Sequence, residues 1–128
     1  MIERATDVGV TKIVSHPSFI IREGWDREEC LKQTKQAHSE LAEFAAARGA
    51  EIAVENMIPC CLGNTADELL DIVSANDKLR ICFDTNHLLL DSHDEFIDEV
   101  KDKLITMHIN DYDFVNERHW LAGEGKID

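Results

Sequence analysis

The sequence has little of what marks membrane-spanning, secreted or zinc-ribbon proteins. No apolar run approaches the ~20 residues of a membrane span, and the amino terminus lacks the charged-then-apolar pattern of a signal peptide. The 4 cysteines include no CxxC pair, and Cys82 lies inside an apolar run, which favours a buried thiol over a disulfide. We therefore expect a cytoplasmic chain with reduced thiols and no membrane partner.

Basic residues are also scarce. Lys and Arg together number 13 against 26 Asp and Glu, so the formal net charge is −13 in 128 residues. Such a charge repels nucleic-acid phosphates at long range, because non-specific affinity for DNA comes largely from Lys and Arg. It disfavours a nucleic-acid partner, and bound divalent cations would offset several of the carboxylates.

The length suits one domain, because natural domains cluster around 100–150 residues. It is too short for a complete (β/α)₈ barrel, which takes roughly 250 residues. No linker, repeat or low-complexity segment divides the sequence, so we expect residues 1–128 to form a single domain. A glycine-containing segment, residues 110–128, follows the last apolar run, and the chain stops where a further helix is expected.

Short apolar runs rich in β-branched residues recur along the chain, and each predicts a buried strand. They cover residues 11–16, 51–56, 79–84 and 104–109. The segments between them have amphipathic spacing and capping residues that predict helices. These cover residues 26–48, 65–75 and 92–101. The first helix has a predicted apolar face, formed by Cys30, Thr34, Ala37, Leu41, Phe44 and Ala45. Strands that alternate with helices predict a parallel sheet with right-handed crossovers.

A possible metal ligand follows every predicted strand. In parallel sheets, ligands bind outside the carboxyl ends of the strands. The candidates at these ends and in the loops beyond them are His16, Glu55, Asp84, His87, His108 and His119. Each histidine taken alone fits a hydrogen-bonded loop residue, but several buried charges at one edge cost several kcal/mol per unpaired ion. Together they predict a metal site. The mixed oxygen and nitrogen donors suit Mn²⁺, Mg²⁺, Co²⁺ or Zn²⁺, and no thiolate argues specifically for zinc.

The same residues, in this order, resemble the motifs of a known family. The motifs are His16-Pro17, Glu55-Asn56, Asp84-x-x-His87, His108-Ile109-Asn110-Asp111 and Arg118-His119-x-x-x-Gly123-x-Gly125. They are similar to those of the xylose-isomerase-like TIM barrel superfamily, which includes sugar and sugar-phosphate isomerases and epimerases and the type IV apurinic endonucleases. The resemblance implies an α/β fold, a partial TIM barrel of about four parallel βα units that correspond to strands three to six of eight. It also implies a fragment of a longer barrel.

In the epimerase branch, the resemblance implies one divalent cation held by Glu55, Asp84 and His108. A fourth ligand, a glutamate after strand eight, has no counterpart in this chain. Glu55 would also be a catalytic carboxylate, and His87 would contact a substrate oxygen. We expect Arg118 and Trp120 to bind substrate as well, with Trp120 stacked on its ring. The expected function is isomerisation or epimerisation of a small-molecule sugar or sugar phosphate through an enediolate. We expect these 128 residues alone to be weak or inactive.

Two alternatives stay open. In the endonuclease branch the resemblance implies a three-zinc cluster that adds His16, His87 and His119 as ligands. There Glu117 stands where that branch has an aspartate, and a basic track for DNA is missing. The other alternative is a truncated, non-enzymatic barrel that binds metal or a partner without turnover. Four βα units leave two sheet edges open, so a homodimer that closes the barrel is also possible.

Overall fold

A computed structural model describes residues 1–89 and 92–127 as strands that alternate with helices. The elements in chain order are α1 (Ile2–Asp7), β1 (Lys12–Ser15), α2 (Arg27–Ala46), β2 (Glu51–Glu55), α3 (Ala66–Val73), β3 (Arg80–Asp84), α4 (His93–Val100) and β4 (Leu104–His108). All four predicted strands and all three predicted helices are confirmed, with ends that differ from the predicted ones by at most two residues. The short helix α1 has no counterpart among the sequence predictions. None of the described helices is long and apolar enough to cross a membrane.

The four strands form one parallel sheet in the order β1-β2-β3-β4. Each strand is displaced along its neighbour: Val14 pairs with Ala53, and Ala53 in turn pairs with Arg80. A further register shift lies between Ile81 and Cys82 on the β3–β4 side. Stagger of this kind accompanies the strand tilt of barrels. The sheet is therefore the curved parallel part of a barrel, as the sequence predicts.

Polar side chains begin three of the helices. The Asp26 carboxylate accepts hydrogen bonds from the N–H groups of Glu28 and Glu29, at 2.9 and 3.3 Å. Thr65 and Ser92 cap α3 and α4 in the same way. These caps satisfy N–H groups that have no partner inside a helix. They confirm the helix starts predicted from the sequence, and they set where the loop after each of β1, β2 and β3 ends and the next helix begins.

The hydrophobic core lies between the sheet and the helices. Ile52, Val54, Ile81 and Phe83 point toward the helices and are at most 1% exposed. Full burial of each such side chain contributes about 1.5–3 kcal/mol. Successive residues of a strand point to opposite faces, so Glu55 and the side chains that alternate with it line the inner, concave face. The core therefore dictates which face carries the polar strand ends.

Helix α2 packs against the sheet through a face that only partly matches the predicted one: Ala45 is buried and Cys30 and Leu41 pack against the core, but Ala37 and Phe44 are exposed. Its buried residues are His38, Ala42 and Ala45, whereas Phe44 is 40% exposed and lies under the Arg48 guanidinium. His38 donates from Nδ1 to the Thr34 carbonyl at 2.9 Å, and its Nε2 lies 3.2 Å from Ser15 Oγ on β1. Burial lowers the pKa of His38. The prediction for Phe44 was wrong because the face that α2 presents to the sheet carries His38, Ala42 and Ala45, and Phe44 lies to one side of that face.

Candidate metal centre

The carboxyl ends of the four strands bring five predicted site residues together, and we call them the inner cluster. They are His16, Glu55, Asp84, His87 and His108. Glu55 lies at the centre: its Oε1 accepts a hydrogen bond from His108 Nδ1 at 3.1 Å and lies 3.5 Å from His87 Nδ1. On the other side, Glu55 Oε2 lies 3.3 Å from His16 Nε2. Asp84 Oδ2 lies 3.5 Å from His108 Nδ1.

The two carboxylates of the inner cluster are buried without a fixed positive charge. Glu55 and Asp84 are each 2% exposed, and no Lys or Arg side chain of the described residues pairs with either of them. Within residues 1–89 and 92–127, no group donates a hydrogen bond to Glu55 Oε2, because His16 Nε2, at 3.3 Å, lacks the geometry for one. An ion buried in this state costs several kcal/mol unless a cation compensates it. The donor set therefore fits a divalent cation.

The distances between possible ligand atoms also suit a single bound cation. One oxygen or nitrogen atom each from Glu55, Asp84 and His87 lie within 4.8 Å of one another, and so do atoms of Glu55, Cys82 and His108. Cys82 lies beneath the carboxylates with no exposed surface. Its burial, together with the nearby charges of Glu55 and Asp84, raises the pKa of the thiol to about 12. Oxygen and nitrogen donors thus dominate the site, and carboxylate and imidazole groups suit Mn²⁺, Co²⁺ and Zn²⁺.

A second group of donors, the outer cluster, shares His87 with the first and adds Glu117 and His119. Glu117 Oε1 accepts a hydrogen bond from His119 Nε2 at 2.7 Å and lies 3.5 Å from His87 Nε2. The hydrogen bond with His119, together with the nearby His87, lowers the pKa of Glu117. Glu117 stands where the endonuclease pattern has an aspartate, so the motif alone does not predict it as a ligand. Its place between two histidines makes it a candidate ligand.

Backbone groups hold the histidine that both clusters share. His87 donates from Nδ1 to the Asn56 carbonyl at 2.9 Å, which directs Nε2 toward Glu117. Thr85 ties β3 to the segment after β4, because its hydroxyl donates to the Asn110 carbonyl at 2.6 Å and accepts from the Asn110 N–H at 3.0 Å. Such contacts behind the ligands fix their orientation. Asn56 and Thr85 are supporting residues that the spacing of ligands alone could not identify.

The two residues predicted to bind substrate lie together on the last loop. The Arg118 guanidinium lies 5.7 Å from the centre of the Trp120 ring, and its Nε donates to Asp113 at 3.1 Å. The Arg118 N–H donates to Asn86 Oδ1 at 2.9 Å. Trp120 is 36% exposed. Both side chains thus reach the surface beside His119, and their contact with a substrate stays a prediction.

The parallel βα units form an α/β half-barrel, with two carboxylates and several histidines as possible metal ligands at the carboxyl ends of its strands. The chain belongs to the xylose isomerase-like TIM barrel family, which it matches over residues 1–128. This confirms the family resemblance and the fold class read from the sequence.

The proteins that this chain resembles include an epimerase-like protein and a probable endonuclease. A D-tagatose 3-epimerase-like protein of known structure is 31% identical with a TM-score of 0.90, over 99% of this chain and 51% of that one. The IolI protein, crystallised with a bound zinc atom, is 25% identical with a TM-score of 0.83, over 100% of this chain and 50% of that one. A probable endonuclease 4 of Shouchella clausii is 28% identical over 98% of this chain and 49% of its own length. The chain thus spans about half the length of the relatives that it matches.

Proposed function

We propose that the inner cluster binds one divalent cation and serves a sugar or sugar-phosphate isomerase or epimerase. The observation that carries the proposal is the Glu55 carboxylate. It is 2% exposed, lies among three histidines, and has one oxygen that accepts no hydrogen bond from the part of the chain that the structure describes. Similarity to the D-tagatose 3-epimerase-like protein supports the sugar substrate, and the zinc atom in the IolI structure supports the cation. Glu55, Asp84 and His108 would hold the cation.

The chemistry would be transfer of a proton at the carbon next to a carbonyl group. When bound, the cation would supply a Lewis acid that polarises the carbonyl and the neighbouring hydroxyl. Glu55 would act as the base, because His108 binds its Oε1 and leaves Oε2 free to accept a proton. His87, whose Nδ1 is bound to the Asn56 carbonyl, would offer Nε2 to a substrate oxygen. The inner cluster thus contains both a proton acceptor and an orienting group.

Solvent exchange tests this proposal directly. A ketohexose is incubated with the chain and Mn²⁺ or Co²⁺ in deuterium oxide, and NMR follows loss of the proton on the carbon next to the carbonyl. The glutamate expected after strand eight has no counterpart in this chain, so we expect only slow exchange by the parent. Glu55→Gln should abolish it, because the amide cannot accept the proton. Glu99→Gln, at an exposed position of α4, is the charge-matched control and should exchange at the parent rate. Exchange in Glu55→Gln at the parent rate would contradict the role of Glu55, and no exchange by the parent would contradict activity of this chain.

A zinc-dependent endonuclease is the second candidate, and the outer cluster is the observation that favours it. His87, Glu117 and His119 give a further set of ligands next to the first, and one relative is named as a probable endonuclease 4. The net charge of −13 argues against a duplex substrate. Zinc-loaded chain is incubated with a duplex that contains one abasic site and with an undamaged duplex. Scission of the first duplex alone, lost in Glu117→Gln, would replace the sugar proposal.

The two edge strands of the sheet could pair with those of a second copy of the chain. β1 and β4 are its outermost strands, and an open edge is a template for pairing with another strand. Parallel pairing of β4 with β1 of a second copy, twice over, would close an eight-stranded barrel as a homodimer. Light scattering tests this closure: the mass of two copies supports it, and the mass of one copy at all concentrations contradicts it.

A further inference from the structure

The carboxylate of Asp111 is buried inside the loop that follows β4. The residue is 3% exposed, and four backbone N–H groups donate to its side chain. Tyr112 and Ile127 donate to Oδ1 at 2.8 and 3.1 Å, and Gly123 and Gly125 donate to Oδ2 at 2.9 and 2.8 Å. The hydrogen bond from Ile127, with those from the other three, lowers the pKa of Asp111 to about 2 although burial opposes this. The carboxylate is therefore ionised, and each of its oxygens already accepts two hydrogen bonds from backbone N–H groups. Asp111 is thus not available as a metal ligand.

The backbone of the same residue closes the loop a second time. The Asp111 N–H donates to the Trp120 carbonyl at 2.9 Å, and the Trp120 N–H donates back to the Asp111 carbonyl at 2.9 Å. This antiparallel bridge joins the two ends of segment 112–119. The side chain then holds segment 121–127 against the first. One residue therefore fastens both halves of the loop that carries Glu117 and His119.

The glycines of this loop fit a receptor for that carboxylate. A Cβ atom on Gly125 would overlap the Asp111 carboxylate and the Tyr112 carbonyl. Gly123 has φ of +90°, in the left-handed region that glycine enters without cost. The Gly-x-Gly pattern thus lets the backbone come close to an anion, and the anion is supplied by the chain itself. Backbone N–H groups of this arrangement commonly bind anions in proteins.

The backbone of His119 adds evidence that the loop has one fixed conformation. Its φ is +51°, which is uncommon for a residue other than glycine. Such a conformation persists only where the surroundings enforce it. The nearest constraint is the bridge between Asp111 and Trp120, the residue that follows His119. In this conformation His119 contacts Glu117 and lies beside the ring of His87.

We infer that Asp111 is the positioning residue of the outer cluster: its carboxylate fills a ring of backbone N–H groups and thereby holds Glu117 and His119 against His87. The inference concerns the geometry of the outer cluster, and only its relevance to catalysis rests on the proposed function. Loss of the carboxylate should release the loop and leave an empty receptor that a small free carboxylate can enter.

The test uses the full chain without metal or sugar. Amide hydrogen exchange at Gly123, Gly125 and Ile127 is measured by NMR in the parent and in Asp111→Ala, together with the ring signals of His119. We expect exchange about tenfold faster or more in Asp111→Ala, because these part-buried N–H groups lose a charged acceptor, and a shift of the His119 signals. Sodium formate, compared with sodium chloride at equal ionic strength, should restore part of the protection in this variant only.

Two further variants keep the result decisive. Asp26→Ala removes a carboxylate that also accepts two N–H bonds, at the start of α2, and should lower stability without changing the loop amides. Asp111→Asn keeps the shape of the side chain and one acceptor oxygen, so it should give intermediate protection even where Asp111→Ala fails to fold. Parent-like protection and His119 signals in both Asp111 variants would overturn the inference. Because no turnover is measured, an inactive parent would refute the proposed function and leave this result standing.

Discussion

Asn56 and Asp84 are joined across neighbouring strand ends by two hydrogen bonds. Asn56 Nδ2 donates to the Asp84 carbonyl at 3.0 Å, and Asn56 Oδ1 accepts from the Asp84 N–H at 2.6 Å. Asn56 has no exposed surface, and Asp84 is 2% exposed. The carbonyl of Asn56 also accepts the Nδ1–H of His87. One amide side chain and its backbone thus set the position of two candidate ligands.

Asn56→Ala should therefore destabilise the protein strongly. It leaves the Asp84 N–H buried without a partner, and the Asp84 carbonyl keeps only the long contact from the His87 N–H at 3.4 Å. A buried polar group that loses its partner costs about 1–3 kcal/mol. We expect the free energy of unfolding to fall by about 2–4 kcal/mol in urea titrations. Asn116→Ala, at an exposed loop position, is the control and should change it by less than about 0.5 kcal/mol. Equal effects of the two substitutions would show that the Asn56 amide does not support the strand end.

Cation binding should appear as a gain in stability that depends on Glu55. A ligand that binds only the folded state adds about 2.7 kcal/mol when its concentration is 100 times its dissociation constant. We expect Mn²⁺, Co²⁺ or Zn²⁺ to raise the melting temperature of the parent and a chelator to reverse the rise. Glu55→Gln removes a buried, uncompensated charge, so without metal it should melt at or above the parent temperature and should respond little to the cation.

The matched control for this measurement is Glu99→Gln, which removes the same charge from the surface of α4. It should keep the full response to the cation. A cation response in Glu55→Gln equal to that of the parent would place the binding site elsewhere in the molecule.

Local patterns in the sequence predict most of the fold. The strands follow from apolar runs, and the starts of α2, α3 and α4 follow from Asp26, Thr65 and Ser92, because a cap and the helix that it begins are adjacent in the chain. The strand-end ligands also follow, since parallel strands all end at one edge. Predictions of this kind need only neighbouring residues and the period of the pattern.

Local patterns do not predict contacts between residues that are far apart in the sequence. Asn56 meets Asp84 only because the register of β2 and β3 places their ends side by side. Asp111 reaches Gly123 and Gly125 through a loop whose path no periodicity describes. Phe44 shows the same limit: its spacing fits the predicted apolar face, but the rotation of α2 about its axis buries His38, Ala42 and Ala45 and leaves Phe44 exposed.

The cysteines should react in an order set by burial. Cys60 is exposed, whereas Cys61 is 2% exposed and Cys82 has no exposed surface. Burial raises the pKa of Cys61 to about 11 and that of Cys82 to about 12, and only the thiolate is nucleophilic. With iodoacetamide near neutral pH, mass spectrometry should find Cys60 modified first and Cys82 last, with the difference lost in urea. Modification of Cys82 as fast as Cys60 in the folded chain would contradict its buried position.

Acid should remove the stabilising contribution of Asp111 in a defined range of pH. Its pKa is about 2 in the folded chain and about 3.9 when unfolded. A lowered pKa means that the unfolded state takes up the proton first, so the contribution is complete above about pH 4 and is lost as the pH falls through about 2.

The difference in unfolding free energy between the parent and Asp111→Asn isolates this group from Asp113, whose pKa is also about 2. Asp113 is present in both proteins, so its titration cancels in the difference. Urea titrations should give a constant difference from pH 6 to about pH 4 and a shrinking one below that. A difference that stays constant down to pH 2 would mean that Asp111 is not held as an anion by the loop, and the positioning role inferred for it would lose its electrostatic basis.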